Sequence, residues 1–344
     1  MVVIDTEEEF DWAAPFNPAS TSVANIACQT LAQRVFDAHG VAPTYVIDYP
    51  VASAPSSVAV LRRIADDGRC EIGAHLHPWV NPPAQGPIDA CTSYANNLPP
   101  DLMRRKLAAL TETIAQNFGA RPAVYKAGRY GVGAGTPAIL RELGYTVDIS
   151  VVPHTSFAGD GGPDFSTMPD GPFLAAENLL ELPLSVHYVG RLAPYGRLLF
   201  PRLHGTVARR LRAPAVAAQL GLLERLRLSP EGHSLRDMIR QTKAALAAGA
   251  RYFMLTYHSS TLLPGSTRYA RNDSERDAFV DRLDRYCGYF LGMEGAAADT
   301  VSGVAAGLAP ETQGGRVGYT PAPSSASHAR RLGMTMEGSG TEPG

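Results

Sequence analysis

His75 and His77 stand two residues apart in the stretch EIGAHLHPWVNPP. In extended backbone alternate residues project to one side, so two imidazoles at this spacing can grip a single metal ion. The other chemically loaded stretch opens the chain: in MVVIDTEEEFDW the apolar run Val2, Val3 and Ile4 empties into Asp5, Glu7, Glu8, Glu9 and Asp11. Carboxylates crowded at the end of a buried strand repel one another unless something positive sits among them. A divalent cation held by two neutral imidazoles and one carboxylate supplies that charge. It also keeps coordination positions for water and substrate, the arrangement of a hydrolytic rather than a structural site. A second carboxylate beside it, free of the metal, can take a proton from water.

Strand alternation sorts the acids. In an extended segment Asp5, Glu7, Glu9 and Asp11 share a side, while Glu8 faces away with Phe10 and Trp12. Asp5 and Glu7 are therefore the expected site carboxylates, and Glu8 and Glu9 the residues expected in a solvated loop.

These residues need a scaffold that gathers strand ends. Apolar runs alternate with helical patterns along most of the chain: strand over 2–4, helix 23–39, strand 44–47, helix 57–66, strand 70–72, helix 101–118 after Pro99 and Pro100, strand 123–126, helix 137–143, strands 146–149 and 179–184, helix 235–248 and strand 252–257. Such alternation predicts an α/β fold with a parallel sheet, and seven or eight repeats favour a barrel over an open sheet. In a barrel the functional residues sit just past the C-terminal ends of strands. Asp5, Asp48, His75 and His77, Arg129 and His258 all fall there.

The formal charge of -2 over 344 residues makes the acidic opening a local feature, and 45% hydrophobic content allows a large core. No apolar run approaches the length of about 18 residues that a membrane span needs, and the N-terminus lacks the basic flank and apolar stretch of a signal peptide, so a cytoplasmic location is expected. Cys28, Cys70, Cys91 and Cys287 are far apart and read as small packing residues rather than a zinc knuckle or disulfide framework. GVGAG near Val132 is too weak a glycine pattern to indicate a nucleotide loop, and no nucleic-acid partner is expected.

Two segments break the rhythm. Between 190 and 230 the only acid is Glu224, against Arg191, Arg197, Arg202, Arg209, Arg210, Arg212, Arg225 and Arg227. This basic insertion suits contact with a membrane surface or a lipid-linked substrate, or it is simply a solvated face or subunit contact. Residues 293–344, rich in Gly, Ala, Ser, Thr and Pro, read as a disordered tail after a domain spanning 1–292.

At these motifs the sequence resembles the polysaccharide deacetylase superfamily (NodB homology, carbohydrate esterase family four). The likeness is greatest to bacterial members, often found with exopolysaccharide genes, that carry a D-x-E start and an HxHPW stretch. It runs over residues 1–291 through IDTEEEFDW, EIGAHLHPW, YKAGRYGVG, GYTVDISVVP, LELPLS and LTYHSS, in that order. The resemblance implies a distorted, incomplete (β/α) barrel of seven or eight strands and a divalent metal, with zinc the first candidate. It makes Asp5 the catalytic base, His75 the first metal-binding histidine and His258 the late histidine that protonates the leaving amine. Where the family has a second aspartate this chain has Thr6, so Glu7 takes over as metal ligand. Where the family places its second histidine this chain has Trp79, so His77 serves instead. The arginine of the third motif is matched in position by Lys126 and slightly later by Arg129, which is expected in the site or paired with the acidic loop. The region of Asp148 matches, loosely, the strand that positions the late histidine or the substrate.

The reaction so implied is metal-assisted removal of an N-acetyl group from a polysaccharide or glycan precursor. Water activated at the metal attacks the amide carbonyl, with the oxyanion held by the metal and a backbone N–H near Tyr130, and His258 protonates the amine. Trp79 and Trp12 are expected either to stack on sugar rings or to cover the core. His154, His187, His204 and His233 are expected to be surface or packing residues. Two other functions remain open from the sequence: a barrel that binds glycan or scaffolds biosynthetic enzymes without turnover, and a hydrolase of non-sugar C–N bonds. What separates the first from an enzyme is whether a free carboxylate remains beside the metal: if both Asp5 and Glu7 bind metal, a general base is lacking.

Overall fold

The computed structural model describes residues 1–308 apart from 12, 13, 206, 207, 209 and 211. In chain order the elements are β1 (Val2–Thr6), α1 (Gln29–Ala38), β2 (Thr44–Ile47), α2 (Tyr49–Ser53), α3 (Pro55–Asp66), β3 (Glu71–Leu76), α4 (Pro100–Phe118), β4 (Val124–Ala127), α5 (Thr136–Glu142), β5 (Val147–Asp148), β6 (Phe173–Ala176) and β7 (Leu179–Glu181). They continue with β8 (Val186–Val189), α6 (Gly196–Leu203), α7 (Ala213–Gln219), β9 (Glu224–Arg227), α8 (Leu235–Ala247), β10 (Leu255–His258), α9 (Asp273–Leu291) and α10 (Val301–Leu308). Helix starts follow local chemistry. Pro99 and Pro100 open α4, a Ser234–Asp237 capping box opens α8, and the Asp48 carboxylate caps α2 by accepting from Val51 N. Among the described residues no helix is long and apolar enough to cross a membrane.

Eight strands form one sheet in the order β10-β1-β2-β3-β4-β5-β7-β6, parallel throughout except for β6, which runs antiparallel to β7. Helices α1 to α5 fall between successive strands, as right-handed β-α-β crossovers require. The sheet curls into a barrel that stays open between β10 and β6, the incomplete (β/α) barrel expected from the sequence. Its open side is stitched by isolated bonds rather than a ladder: Leu184 N to Val151 O (2.9 Å), Leu228 N to Ser185 O (2.9 Å) and Thr256 N to Leu228 O (3.1 Å). Core residues come from the strands and the inner helix faces, with Leu107, Leu110 and Ile114 of α4 at helical spacing.

Two expectations change. The short strand over 70–72 is in fact six residues long and carries His75 within it, because β3 pairs on both sides, with β2 and β4. Gly73 makes that three-strand contact possible, since a Cβ there would meet Val46 Cγ1 at 2.9 Å and the Val124 carbonyl at 3.0 Å. The basic insertion, for which the sequence set no topology, includes β8 and β9, paired antiparallel, with α6 and α7 between them. Finally, residues 301–308, which composition assigns to the tail, form α10. Val301, Ala305 and Leu308 are buried, and Val301 N donates to Thr44 Oγ1 at 3.1 Å. The rest of that segment, 309–344, lies outside the described residues.

Candidate active site

Parallel register places the chemistry. Asp5 pairs with His258 across β1 and β10, and His75 with Lys126 across β3 and β4, all at the C-terminal ends of their strands. Glu7, just past β1, is held by Glu7 N donating to Ser259 Oγ (3.1 Å) and Asn25 Nδ2 donating to Glu7 O (3.0 Å).

Glu7 Oε2 lies 3.6 Å from His75 Nε2 and 3.5 Å from His77 Nε2. Ligands about 2.0–2.1 Å from a tetrahedral ion stand about 3.4 Å apart, so these three groups fit a shared divalent cation. The buried polar atoms point the same way. Both Glu7 carboxylate oxygens and His77 Nε2 are buried without a hydrogen-bond partner, a costly arrangement unless a ligand satisfies them. Both imidazoles are oriented from behind. His75 Nδ1 donates to the Lys126 carbonyl (3.0 Å) and His77 Nδ1 to Glu8 Oε2 (2.7 Å), leaving the Nε2 atoms toward Glu7.

The electrostatics suits a cation site. Burial, with Glu8, Asp5, Asp48 and Glu231 nearby, pushes the Glu7 carboxyl well above the usual range. Burial, with His77 beside it, pulls His75 well below the ordinary histidine value, and burial brings His77 down to about 4. Both imidazoles are thus neutral and suited to ligation, and a cation beside Glu7 would favour its ionised form.

Glu8 is the clearest correction. It is fully buried rather than solvated. It closes on the far side of His77, so that Glu7 and Glu8 flank the two nitrogens of one ring. Its other oxygen accepts from Trp79 Nε1 at 2.6 Å, and its backbone N–H donates to Asp48 Oδ2 at 2.7 Å. Glu8, Asp48 and His77 also lie close enough to one another to hold an ion, but their carboxylates are already hydrogen-bonded, unlike that of Glu7. Gly128 admits the His77 ring, because a Cβ there would run into that ring and the Leu76 carbonyl.

Asp5 stays outside the Glu7, His75, His77 triad. Its two oxygens receive Lys126 Nζ at 2.5 and 2.7 Å, both residues being buried, and its Oδ2 lies 3.7 Å from His258 Nε2. Burial opposes ionisation of Asp5, but Lys126, His75 and His258 outweigh it and hold the carboxyl well below the usual range. His258 Nδ1 donates to Glu231 Oε2 at 2.8 Å. The other Glu231 oxygen accepts from His258 N (2.9 Å) and Thr261 Oγ1 (2.6 Å). Burial lowers the His258 pKa, yet Glu231 and Asp5 together raise it above the ordinary value.

Several expected site residues stand elsewhere. Arg129 does not reach Asp5: its guanidinium binds Asp160 Oδ2 (2.6 Å), Ser93 Oγ and the Ala90 carbonyl, and lies over the Tyr94 ring at 4.0 Å. Arg129 and Tyr130 are consecutive left-handed residues, φ 52° and 61°, so the chain turns away immediately after β4 and carries Arg129 off. Trp79 is buried and cannot present a face to a sugar. It stacks on His77 (centroids 4.3 Å) and is covered by Phe10 and Phe16. Trp12 lies outside the described residues. Tyr130 remains half-buried near the site, its ring 5.6 Å from Lys126 Nζ and its hydroxyl accepting from Arg227 Nη1 at 2.7 Å. Asp148 is structural, accepting from Ser150 N and Ser150 Oγ. His154, buried, pairs with Asp170. His187, buried, bonds Gln241, and exposed His204 stacks on Phe200.

Sequence reasoning missed Glu231 and Lys106 and misplaced Glu8. Glu231 lies in a loop with no motif around it, 27 residues before His258. Lys106, fully buried on α4, donates to the Pro78, Asn81 and Pro83 carbonyls at 2.9, 2.6 and 2.6 Å and so pins the loop that follows His77. A lysine among the apolar positions of a helix was the available signal.

Fold and site together define a class: an open (β/α) barrel with two imidazoles and a carboxylate converging at the strand ends, and an ionised aspartate beside them. No family model matches the sequence, and no curated protein matches it. Among solved structures the chain is similar to a Mycobacterium smegmatis protein described as a polysaccharide deacetylase, at 18% identity over 94% of each chain with a TM-score of 0.54. It is similar also to PuuE allantoinase, at 16% identity over 90% of this chain and 89% of that one, TM-score 0.51. A third is a Parabacteroides distasonis protein described as a glycoside hydrolase/deacetylase, at 10% identity over 90% and 70% of the two chains, TM-score 0.58. At these identities the likeness is one of fold.

Proposed function

We propose that the chain is a metal-dependent hydrolase that removes N-acetyl groups from a polysaccharide or glycan precursor. The observation that carries this reading is Asp5. It is a buried, ionised carboxylate outside the ligand triad, so a general base remains after Glu7, His75 and His77 are committed to metal. Had Asp5 joined Glu7 as a ligand, no base would remain and the non-catalytic barrel would be favoured.

The two-imidazole, one-carboxylate donor set suits zinc first. When bound, the ion lowers the pKa of a water and polarises the scissile carbonyl. Glu7, His75 and His77 would hold it, and Glu8 fixes the His77 tautomer. Lys126 keeps Asp5 ionised and aimed, so that Asp5 can take the proton as the water oxygen adds to the amide carbon. On this reading a backbone N–H near Tyr130 would hold the oxyanion. His258, steadied by Glu231, gives its proton to the nitrogen as the C–N bond breaks, and acetate and free amine depart. The arginine-rich insertion is the part of the chain that would meet a lipid-linked glycan.

A second reading, hydrolysis of a non-sugar C–N bond, draws support from the fold shared with PuuE allantoinase. The deciding experiment is metal analysis of the purified protein, followed by assay of acetate and ammonia release from a panel of N-acetylated sugars and small cyclic amides. Acetate release that needs bound metal and disappears in Asp5→Asn supports the deacetylase. Ammonia or ring-opened product selects the second reading, and a metal-loaded protein inert on the whole panel counts against both.

A further inference from the structure

Among the described residues, four of the five exposed large apolar side chains lie in one stretch of the insertion: Tyr195 (62% exposed), Leu198 (57%), Val216 (48%) and Leu220 (62%). They stand among exposed arginines. On α6, Arg197, Leu198, Pro201 and Arg202 face solvent, while Leu199, Phe200 and Leu203 turn inward. Phe200 packs on Tyr188 of β8 (5.4 Å) and under Arg225 of β9 (5.0 Å), which fixes the outer face of the helix. Backbone bonds from Arg191 N to Gly221 O (3.0 Å) and from Leu192 N to Leu222 O (2.8 Å) tie the approach to α6 to the end of α7, so both helices that carry exposed apolar groups belong to one ribbon. Arg191, Arg210 and Arg212 are also exposed, and Glu224 is the only acid between 190 and 230.

We propose that this face docks on an anionic lipid bilayer, with Tyr195, Leu198, Val216 and Leu220 entering the headgroup boundary and the arginines meeting lipid phosphates. An apolar row flanked by long cations is the pattern of interfacial helices, whose arginines cover apolar surface with their stems and reach headgroups with their tips. A soluble polyanion would satisfy the arginines but leave the leucines in water. A symmetric pair of copies would bury the leucines but set arginines against arginines, since an isologous contact joins a patch to itself. The same ribbon carries Arg227, whose Nη1 donates to Tyr130 at the site, so a docked chain would hold its cleft close to the lipid surface. The proposal does not depend on the hydrolase reading and stands even for an inactive chain.

The test is co-sedimentation of the full chain with vesicles of phosphatidylcholine alone and of equal parts phosphatidylcholine and phosphatidylglycerol. Binding to the second only, weakening with salt, is the expected result. Arg197→Ser and Arg202→Ser should each cost about five-fold in affinity, and Leu198→Ser and Leu220→Ser about ten-fold each. Thermal unfolding should be unchanged, because these side chains are exposed. Three results would overturn the proposal: no sedimentation with anionic vesicles; binding untouched by the leucine changes and matched by dextran sulfate, which would make the face a polyanion site; or no vesicle binding together with a dimer, seen by light scattering, that the leucine changes dissociate.

Discussion

Lys126 Nζ sits 2.5 and 2.7 Å from the two carboxylate oxygens of Asp5, across the barrel interior and 121 residues away in sequence. A buried pair of this kind is unforgiving of half-removal, because the remaining charge has neither water nor partner. Lys126→Met should cost about 3–5 kcal/mol in urea unfolding, whereas the double change with Asp5→Asn recovers most of that loss. Because the Asp5 carboxyl is held below its ordinary value, its contribution is present above the unfolded pKa of about 4 and fades as pH falls through the folded value. Asp5→Asn alone should reduce kcat by about a hundred- to ten-thousand-fold with metal content unchanged. Loss of metal in that variant would make Asp5 a ligand and remove the base.

The Glu231–His258 pair sets the alkaline limit. A raised histidine pKa keeps His258 protonated, and able to act as acid, above the ordinary value of about 6.5. Its stabilising contribution is complete below that value and is lost as pH rises through the folded pKa. Glu231→Gln removes the carboxylate that lifts His258, so the alkaline limb of the kcat profile should move to lower pH. An NMR titration of the His258 ring should move with it. An unmoved limb would assign the acid to another group.

Glu8 and Trp79 act through His77 rather than on substrate. Glu8→Gln should weaken metal affinity about 10- to 100-fold. Trp79→Phe keeps a ring on His77 but deletes the indole donor to Glu8, and should lower metal affinity while leaving KM for the metal-loaded enzyme unchanged. A sugar platform would show the reverse, with KM raised and metal content intact.

Glu7 is destabilising without a cation. In chelator-treated protein Glu7→Gln should raise the midpoint of thermal unfolding by about 1–2 °C for each kcal/mol of relieved repulsion. Wild-type chain should regain about 2.7 kcal/mol at a hundredfold excess of zinc over Kd, and the variant little of it. Equal responses of the two proteins to zinc would place the ion elsewhere.

The sequence by itself determined the parts that depend on local period and residue type. The two-residue spacing set His75 and His77 together, and the α/β rhythm placed Asp5, His75 and His258 at strand ends. Tertiary structure decided what each of them meets. Lys126 rather than Arg129 reaches Asp5 because the backbone turns left-handed directly after β4. Glu231 rather than Asp148 steadies His258, and Glu8, a solvated residue by its neighbours in sequence, is buried behind His77. These are contacts across a curved sheet between residues 27 to 121 positions apart. No local pattern encodes them, because partner choice there follows from sheet curvature, register and the high cost of leaving a buried charge unpaired.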